Sequence, residues 1–302
     1  MSARSEMSRP SAPAPRPARR SGFRTPSGQR MSPLGVLGTY LVLVVAALSM
    51  LAPFLLAVNA SFQTKQGFIK GGPLAPAIPP TIENYVDLFG RRIDFSEAIW
   101  TTVGVVAIVL VCQLLFSVLA AYAFAKLRFP GRDLLFWVFL ATLMVPQAVT
   151  VIPLYFMLSG MELRGTFWGL VLPYLFGSPY AIFLLRESFR QVPDELIDAM
   201  RMDGAGTLRI LFGLVVPLNR PILVTLALIT VVSHWNNFMW PRIIGGNRIH
   251  VLTTATSSLQ EQYSNNTTLV MAATTLALVP LLALFLVFQR QIVRSIAITG
   301  FR

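Results

Sequence analysis

The segment Trp235-Asn236-Asn237-Phe238-Met239-Trp240-Pro241 sets two indoles, a phenyl ring and two carboxamides within seven positions. Aromatic faces beside amide donors and acceptors suit a neutral sugar-like solute, whose C–H faces stack on rings while its hydroxyls exchange hydrogen bonds. Trp235, Asn236, Asn237 and Trp240 are therefore candidate residues of a solute pathway. The same composition at the end of an apolar run also describes an interfacial aromatic belt, so both readings stand at this point. The second concentration of functional groups is a charged island over residues 186–220, RESFRQVPDELIDAMRMDGAGTLRILFGLVVPLNRP. Glu195 and Asp198 there suit pairing with basic groups of a partner surface, or a solvated helix face.

Other chemistries are not supported. No GxxxxGK[ST] phosphate loop occurs, so the chain has no means of hydrolysing ATP itself. His234 and His250 stand without HExxH or a paired carboxylate, and no GxSxG elbow is present. Cys112 is the single cysteine, which excludes an internal disulfide, CxxC redox chemistry and a thiolate metal site. No catalytic residue, metal or cofactor is expected. The matches to the glycosylation sequon at Asn59-Ala60-Ser61 and Asn265-Asn266-Thr267 are of a kind that short polar loops produce by chance.

The elements that carry the charged island follow from its spacing. Pro193 fits a first helical position, with Asp194 and Glu195 in the first turn, where carboxylates offset the exposed amide dipoles. Asp203-Gly204 closes that short helix. Leu208, Leu211, Phe212 and Val215 recur at i, i+3, i+4, i+7 and predict a second, amphipathic helix ending near Pro217. The apolar stripe and the small residues Ala199, Gly204, Ala205 and Gly206 call for a close partner.

The rest of the chain belongs in a bilayer. Hydrophobic residues make up 54% and charged residues 13%, with a mean hydropathy of +0.63, against about 25% charged residues in soluble domains. Six segments approach the 20 or so residues that a hydrocarbon core demands, at roughly 34–58, 98–125, 134–159, 167–185, 221–240 and 268–288. Residues 1–33, with seven arginines and repeated Pro, Ser and Ala, read as a disordered basic cytoplasmic tail, and residues 34–302 as the permeating domain. A signal peptide is the rival reading of the N-terminus, but the apolar run after the tail exceeds an h-region of about 7 to 15 residues. Residues 59–97 and 245–267 form polar connections, the first Pro/Gly-rich with a short helix starting near Thr81-Ile82-Glu83.

Pro146, Pro153, Pro173, Pro179 and Pro280 interrupt the spans, and Pro241 ends the fifth. Such breaks free carbonyls that protein or a water-filled path must cover, although packing kinks explain them equally. Gly104, Ser117, Ala120 and Ala121 suit the second span to close helix contact. With both termini in the cytoplasm, 18 of the 25 Lys and Arg fall on that side, including those of residues 186–220. The basic excess thus follows topology, and no nucleic-acid partner is implied.

Glu195-x-x-Asp198-Ala199-x-x-x-Asp203-Gly204-Ala205, with Ile210 and Val216-Pro217 downstream, resembles the EAA loop of ABC-importer permeases. The DGA part is intact, while the first Ala of the EAA triplet is Ile197 or Asp198, depending on alignment. The segment WNxFxWP, the stretches AAYAFAKLRFPGRDLLFW and LMVPQAVTVIPLY, and the terminal FQRQIVRSIAITGFR are similar to the carbohydrate-uptake, maltose-type subfamily; the terminal stretch lacks that subfamily's usual glycine-rich ending. This resemblance implies an all-α membrane protein with six transmembrane helices and the MetI-like core of type I importers. It implies a permease subunit carrying a sugar or related polar neutral solute inward across the bacterial inner membrane. The implied partners are ABC ATPase subunits, a second homologous permease, an extracytoplasmic solute-binding protein and membrane lipid. In the family the loop seats in the ATPase, which makes Glu195, Asp198, Ala199, Asp203, Gly204, Ala205 and Leu208 the expected coupling residues.

A proton- or sodium-coupled secondary transporter is the alternative. Such carriers place ionisable residues inside the membrane, where their cost is retained for function. The six expected spans contain no Asp, Glu, Lys or Arg.

Overall fold

The computed structural model describes residues 33–90, 95–262 and 266–299, with side chains from 34 to 289. The expected basic tail, Arg91, Arg92, Asn265 and the extreme C-terminus lie outside the described residues. Two units are distinguished, residues 1–53 and 54–302. The described part of the first is the beginning of helix α1 (Pro33–Ser61), an apolar rod without an acidic residue in its first turn.

The described part of the second unit is mostly helical and holds no strand. In chain order it holds the end of α1, α2 (Lys65–Gly71), α3 (Glu83–Phe89), α4 (Phe95–Lys126), α5 (Arg132–Ala141), α6 (Gln147–Gly160), α7 (Phe167–Val171) and α8 (Pro179–Arg190). There follow α9 (Asp194–Met202), α10 (Thr207–Ile210), α11 (Val216–Leu218), α12 (Arg220–Trp235), α13 (Met239–Gly245), α14 (Leu252–Gln262) and α15 (Thr267–Thr299). Leu34–Ser61, Phe95–Lys126, Phe167–Arg190 and Thr267–Gln289 are long and apolar enough to cross a membrane. Two bent pairs raise the number among the described residues from four to six where each pair is counted as one broken span: Arg132–Met144 with Gln147–Gly160, at 98°, and Thr207–Leu218 with Arg220–Trp235, at 84°.

Helix α4 is the axis of the packing. Val118, Ala121 and Tyr122 join a core with α8, Ile197 of α9, and Ile210, Leu211 and Val215. Phe95, Ala98 and Val106 join a second core with Leu88, Trp235, α14 and α15. Val105 and Val109 enter a third with α6, α7 and α13. The small residues expected to permit close contact do so at Ser117, which is fully buried and accepts the Ser178 amide at 3.1 Å. A Cβ on the neighbouring Gly177 would lie 3.1 Å from the Ser117 nitrogen, so glycine lets the chain before α8 touch the α4 backbone.

The prolines act locally and not always as expected. Pro146 holds Val145 in extended backbone (φ −81°, ψ 115°) and splits the third span, because the proline ring clashes with a helical predecessor. Pro153 and Pro280 stay inside α6 and α15. Pro241 does not end the fifth span: α12 stops at Trp235, and Pro241 lies in the first turn of α13, where a missing N–H leaves no bond unmade. Pro193 precedes its helix by one residue, as the N-cap of α9.

The amphipathic helix predicted to end near Pro217 is also different. Residues Leu211–Val215 form a π-turn, and the helical path runs to Leu218. The wider turn changes the phase of the stripe, so Ile210, Leu211 and Val215 are buried while Leu208 and Phe212 are 61% and 47% exposed. The connection 245–267, expected as a loop, contains α14, whose Leu252, Ala255 and Leu259 are buried. In the other connection Glu83 opens α3, as the sequence suggests. Its irregular backbone is held by amide side chains: Asn59 donates to the Ala75 carbonyl at 2.8 Å, and Asn84 donates to the Ser61 and Gln63 carbonyls, each at 2.8 Å. The Asn59 amide of the sequon is thereby committed to folding.

Candidate functional site

The break between α12 and α13 turns the amides of Asn236 and Asn237 toward a cavity of about 520 Å³. Gln113 of α4, Gln147 at the start of α6, Tyr174 and Ser178 before α8, Tyr180 of α8, and Thr230, Ser233 and His234 of α12 add to its polar lining. Three of these groups are already joined. The Tyr174 hydroxyl oxygen accepts from Gln147 Nε2 and from Asn237 Nδ2, both at 3.2 Å. With both acceptor positions filled, the hydroxyl proton is left as the donor. The His234 ring meets the Tyr174 ring edge-on at 4.7 Å between centroids. Deeper in the membrane-spanning helices, Thr230 Oγ1 donates to Gln113 Oε1 at 3.2 Å. Among the described residues, no carboxylate, lysine or arginine lines this cavity.

The two tryptophans of the candidate set do not join Asn236 and Asn237 there. Trp235 is 7% exposed and its indole N–H donates to the Ala277 carbonyl at 3.1 Å; Trp240 is 2% exposed and donates to Gly169 at 3.1 Å. A large ring with one donor is well used bolting a helix end to a free carbonyl, and these two bolt α12 to α15 and α13 to α7. Tyr174, Gln147 and Gln113 were not singled out from sequence. Gln113 carried a readable signal, a carboxamide in the middle of an apolar run. Tyr174 and Gln147 carried none, because the break after Val145 and the 3-10 turn Leu172–Tyr174 bring them in.

The charged island folds as two short helices joined at a glycine. Lys126, at the end of α4 and with a side chain only 7% exposed, donates to the Val192 carbonyl at 2.6 Å and to Asp194 Oδ1 at 2.7 Å. That hydrogen bond and the lysine charge hold the Asp194 carboxyl below the usual carboxylate range. Helix α9 therefore starts at a fixed point beside the membrane span. Ile197 is its one buried residue, and the remaining face is open. At its end Ala205 N donates to Met200 O and Gly204 N to Arg201 O, both at 2.9 Å, with Gly204 at φ +77°. This is the Schellman arrangement, which needs a left-handed residue where glycine stands.

Of the expected coupling residues, Glu195, Asp198, Ala199, Asp203, Gly204 and Leu208 are exposed on one short segment, and Ala205 is half-buried. Asp198 pairs with Arg201 at 2.9 Å within the helix, while Glu195 forms no ion pair among the described residues. Leu196 and Met202 are 45% and 88% exposed and add apolar surface to this segment. Behind it, the 84° bend into α12 centres on Asn219, which is buried; its Nδ2 donates to the Val215 carbonyl at 2.7 Å, and Ser188 of α8 hydrogen-bonds its Oδ1. Among the described residues no group of three or more His, Cys, Asp or Glu side chains could hold a metal ion.

Comparison with known proteins places this architecture. Residues 113–298 match the family described as binding-protein-dependent transport system inner membrane component. The arabinooligosaccharides transport system permease protein AraQ of Halalkalibacterium halodurans is 29% identical over 82% of this chain and 90% of its own length. The sn-glycerol-3-phosphate transport system permease protein UgpE of Yersinia enterocolitica is 31% identical, covering 85% of this chain and 94% of that protein. In fold, the chain is similar to a crystal structure of a bacterial ABC transporter involved in the import of the acidic polysaccharide alginate. The TM-score is 0.76 at 21% identity, covering 89% of this chain and 99% of that one. The alternative of a proton- or sodium-coupled carrier finds no support among these relatives. The chain belongs to the binding-protein-dependent transport system inner membrane component family, and is a multi-pass permease subunit of an ABC importer with the MetI-like fold.

Proposed function

We propose that this subunit carries a sugar or a closely related polyhydroxylated solute into the cytoplasm, and that the cavity around Tyr174, Asn236 and Asn237 is its share of the pathway. The observation that carries the reading is the cavity's polar lining, in which carboxamides, hydroxyls and aromatic edges stand among apolar side chains and, among the described residues, no carboxylate, lysine or arginine takes part. Such groups exchange hydrogen bonds with hydroxyls at little desolvation cost, and the solute meets no fixed charge that would hold it back. Arabino-oligosaccharides, named for one relative, are of this class; glycerol phosphate, named for another, is hydroxylated but adds an anion that no cation in this lining matches.

Energy enters through the exposed segment Glu195–Leu208, which partner ATPase subunits seat, and a second permease supplies the other half of the pathway. An extracytoplasmic solute-binding protein delivers the solute on the opposite side, where the 59–97 and 245–267 connections lie. Both termini and α9 are cytoplasmic, with residues 1–33 as a basic tail ahead of the permease domain 34–302. Each ATP-dependent closure prefers one state of the spans, and the segment transmits that preference.

Uptake of radiolabelled arabino-oligosaccharide, maltose and glycerol phosphate is measured in proteoliposomes holding the chain with its genomic-neighbour partners. Tyr174→Phe and Asn237→Ala each lower uptake of the transported solute by roughly fivefold to tenfold, as loss of about 1–1.5 kcal/mol of hydrogen bonding requires. Trp240→Phe, which leaves the cavity lining intact, keeps the solute preference. Unchanged uptake in both cavity variants would place the solute path in the partner permease.

A further inference from the structure

A second cavity, of about 650 Å³, lies where the end of α4 and the following turn face α8 and α9. Lys126, Arg128, Arg132, Arg190 and Arg201 line it, against Asp194 and Asp198. Two more carboxylates pair with these arginines from outside, Asp133 at 3.1 Å from Arg132 and Glu187 at 3.6 Å from Arg190, and both are shared with Arg186. Six cations then stand against four carboxylates, so an excess of two positive charges remains. Arg128 is exposed and has no ion pair among the described residues. Paired cations that crowd around an open hollow repel one another, and an entering anion relieves that repulsion.

The hollow has an apolar exit. Arg128 and Arg132 also line an adjoining space of about 460 Å³ whose wall includes Phe129 and Leu134. From Leu134 the stripe Leu134, Trp137, Val138, at i, i+3, i+4 along α5, is 57–70% exposed. The apolar run of α4 ends at Lys126 and that of α5 begins after Asp133, which sets the cations at the level of headgroups and the stripe at the level of acyl chains. A free anion would use the cations and have no need of the stripe.

We infer that this hollow binds the phosphate of an anionic phospholipid, with its chains laid along Leu134, Trp137 and Val138. Basic hollows between membrane helices are suited to such headgroups. Because Lys126 also anchors Asp194 at the start of α9, occupancy stiffens the base of the segment assigned above to the ATPase. That consequence, and the cytoplasmic side, rest on the function proposed above; the binding itself does not.

The test uses the full-length chain, delipidated in detergent and titrated with phosphatidylglycerol, phosphatidylcholine and inorganic phosphate, with bound species counted by native mass spectrometry. Phosphatidylglycerol is retained in preference to phosphatidylcholine. Arg128→Gln with Arg132→Gln weakens that retention by roughly fivefold for each cation removed. Arg164→Gln with Arg248→Gln, lining a separate cavity, leaves it unchanged. Leu134→Ser weakens lipid but not phosphate. Equal retention of the two lipids, or equal retention by the Arg128/Arg132 variant, would overturn the site. Displacement of the lipid by stoichiometric inorganic phosphate would make it a free-anion site. Exclusion of lipid by a bound ATPase subunit would make it protein-contact surface. If no ATPase binds the chain while lipid retention still depends on Arg128 and Arg132, the coupling reading fails and the lipid site stands.

Discussion

At Gly204 the backbone passes from α9 to α10 at φ +77°, and a Cβ added there would meet nothing within 4 Å. The constraint is conformational and not steric, so substitutions separate two effects that are usually mixed. Asparagine tolerates the left-handed region, whereas valine costs about 1–2 kcal/mol there. Gly204→Asn is expected to keep ATP hydrolysis coupled to uptake, while Gly204→Val frays the turn and lowers the coupling ratio. Gly204→Asp keeps the turn but adds a charge to the exposed segment. It is expected to leave expression intact and uncouple hydrolysis from uptake, measured as phosphate released per solute imported in proteoliposomes. Unimpaired uptake in the aspartate variant would remove this segment from the coupling path. The glycine is readable from sequence because it adopts the left-handed turn at the least cost of any residue type. The role of Tyr174 is not, because a tyrosine in an apolar run looks the same facing lipid, core or cavity.

Between α11 and α12 the chain bends by 84° about a buried asparagine that Ser188 of α8 holds by its side chain. The π-turn before it leaves Ile210, Leu211 and Val215 packed against α4 and α8, so this element touches both the exposed segment and the cavity-lining α12. In the coupling proposed above, any motion of α9 would have to reach α12 through this bend, which is bonded to α8. Asn219→Ala removes the bonds to Val215 and Ser188 and is expected to cost about 1–3 kcal/mol, since a buried partner is left unsatisfied. Ser188→Ala with Asn219→Leu, which removes both polar partners, is expected to recover most of that loss in thermal melts while leaving the coupling ratio low. Recovery of both together would mean the pair serves stability alone. Periodicity predicted the two helices flanking Gly204 but misplaced the stripe of the second, because a spacing of 3.6 was assumed where the chain makes a wider turn.

Across the whole permease, Lys126, Arg128, Arg132, Arg186, Arg190 and Arg201 cluster beside α9, at one end of α4 and α8. The orientation proposed from that charge is tested by single cysteines in a Cys112→Ala background. A cysteine at Gln191 is expected to react with a membrane-impermeant maleimide only in inside-out vesicles, and one at Asn247 only in right-side-out cells. The reverse pattern would invert the proposed topology and remove the exposed α9 segment from the reach of a cytoplasmic ATPase. Neither position is buried, so labelling reports sidedness and not access.

Amino-acid order alone determined the membrane class, the approximate places of the apolar segments, and the helix-glycine-helix of residues 194–218. Each of these rests on local physics: hydrocarbon thickness, the absence of charge within the apolar runs, and the residue type that adopts a left-handed cap at least cost. Tertiary structure decided what the spans enclose. It brought Gln113, Gln147, Tyr174 and Asn237 to one cavity from four separate stretches of chain and turned Trp235 and Trp240 away into the core. It also set Arg128 and Arg132 beside Arg190 and Arg201. Those assignments depend on the angles at Val145, Asn219 and Asn236, where proline and asparagine mark a break without specifying its direction, and packing against α4 chooses it.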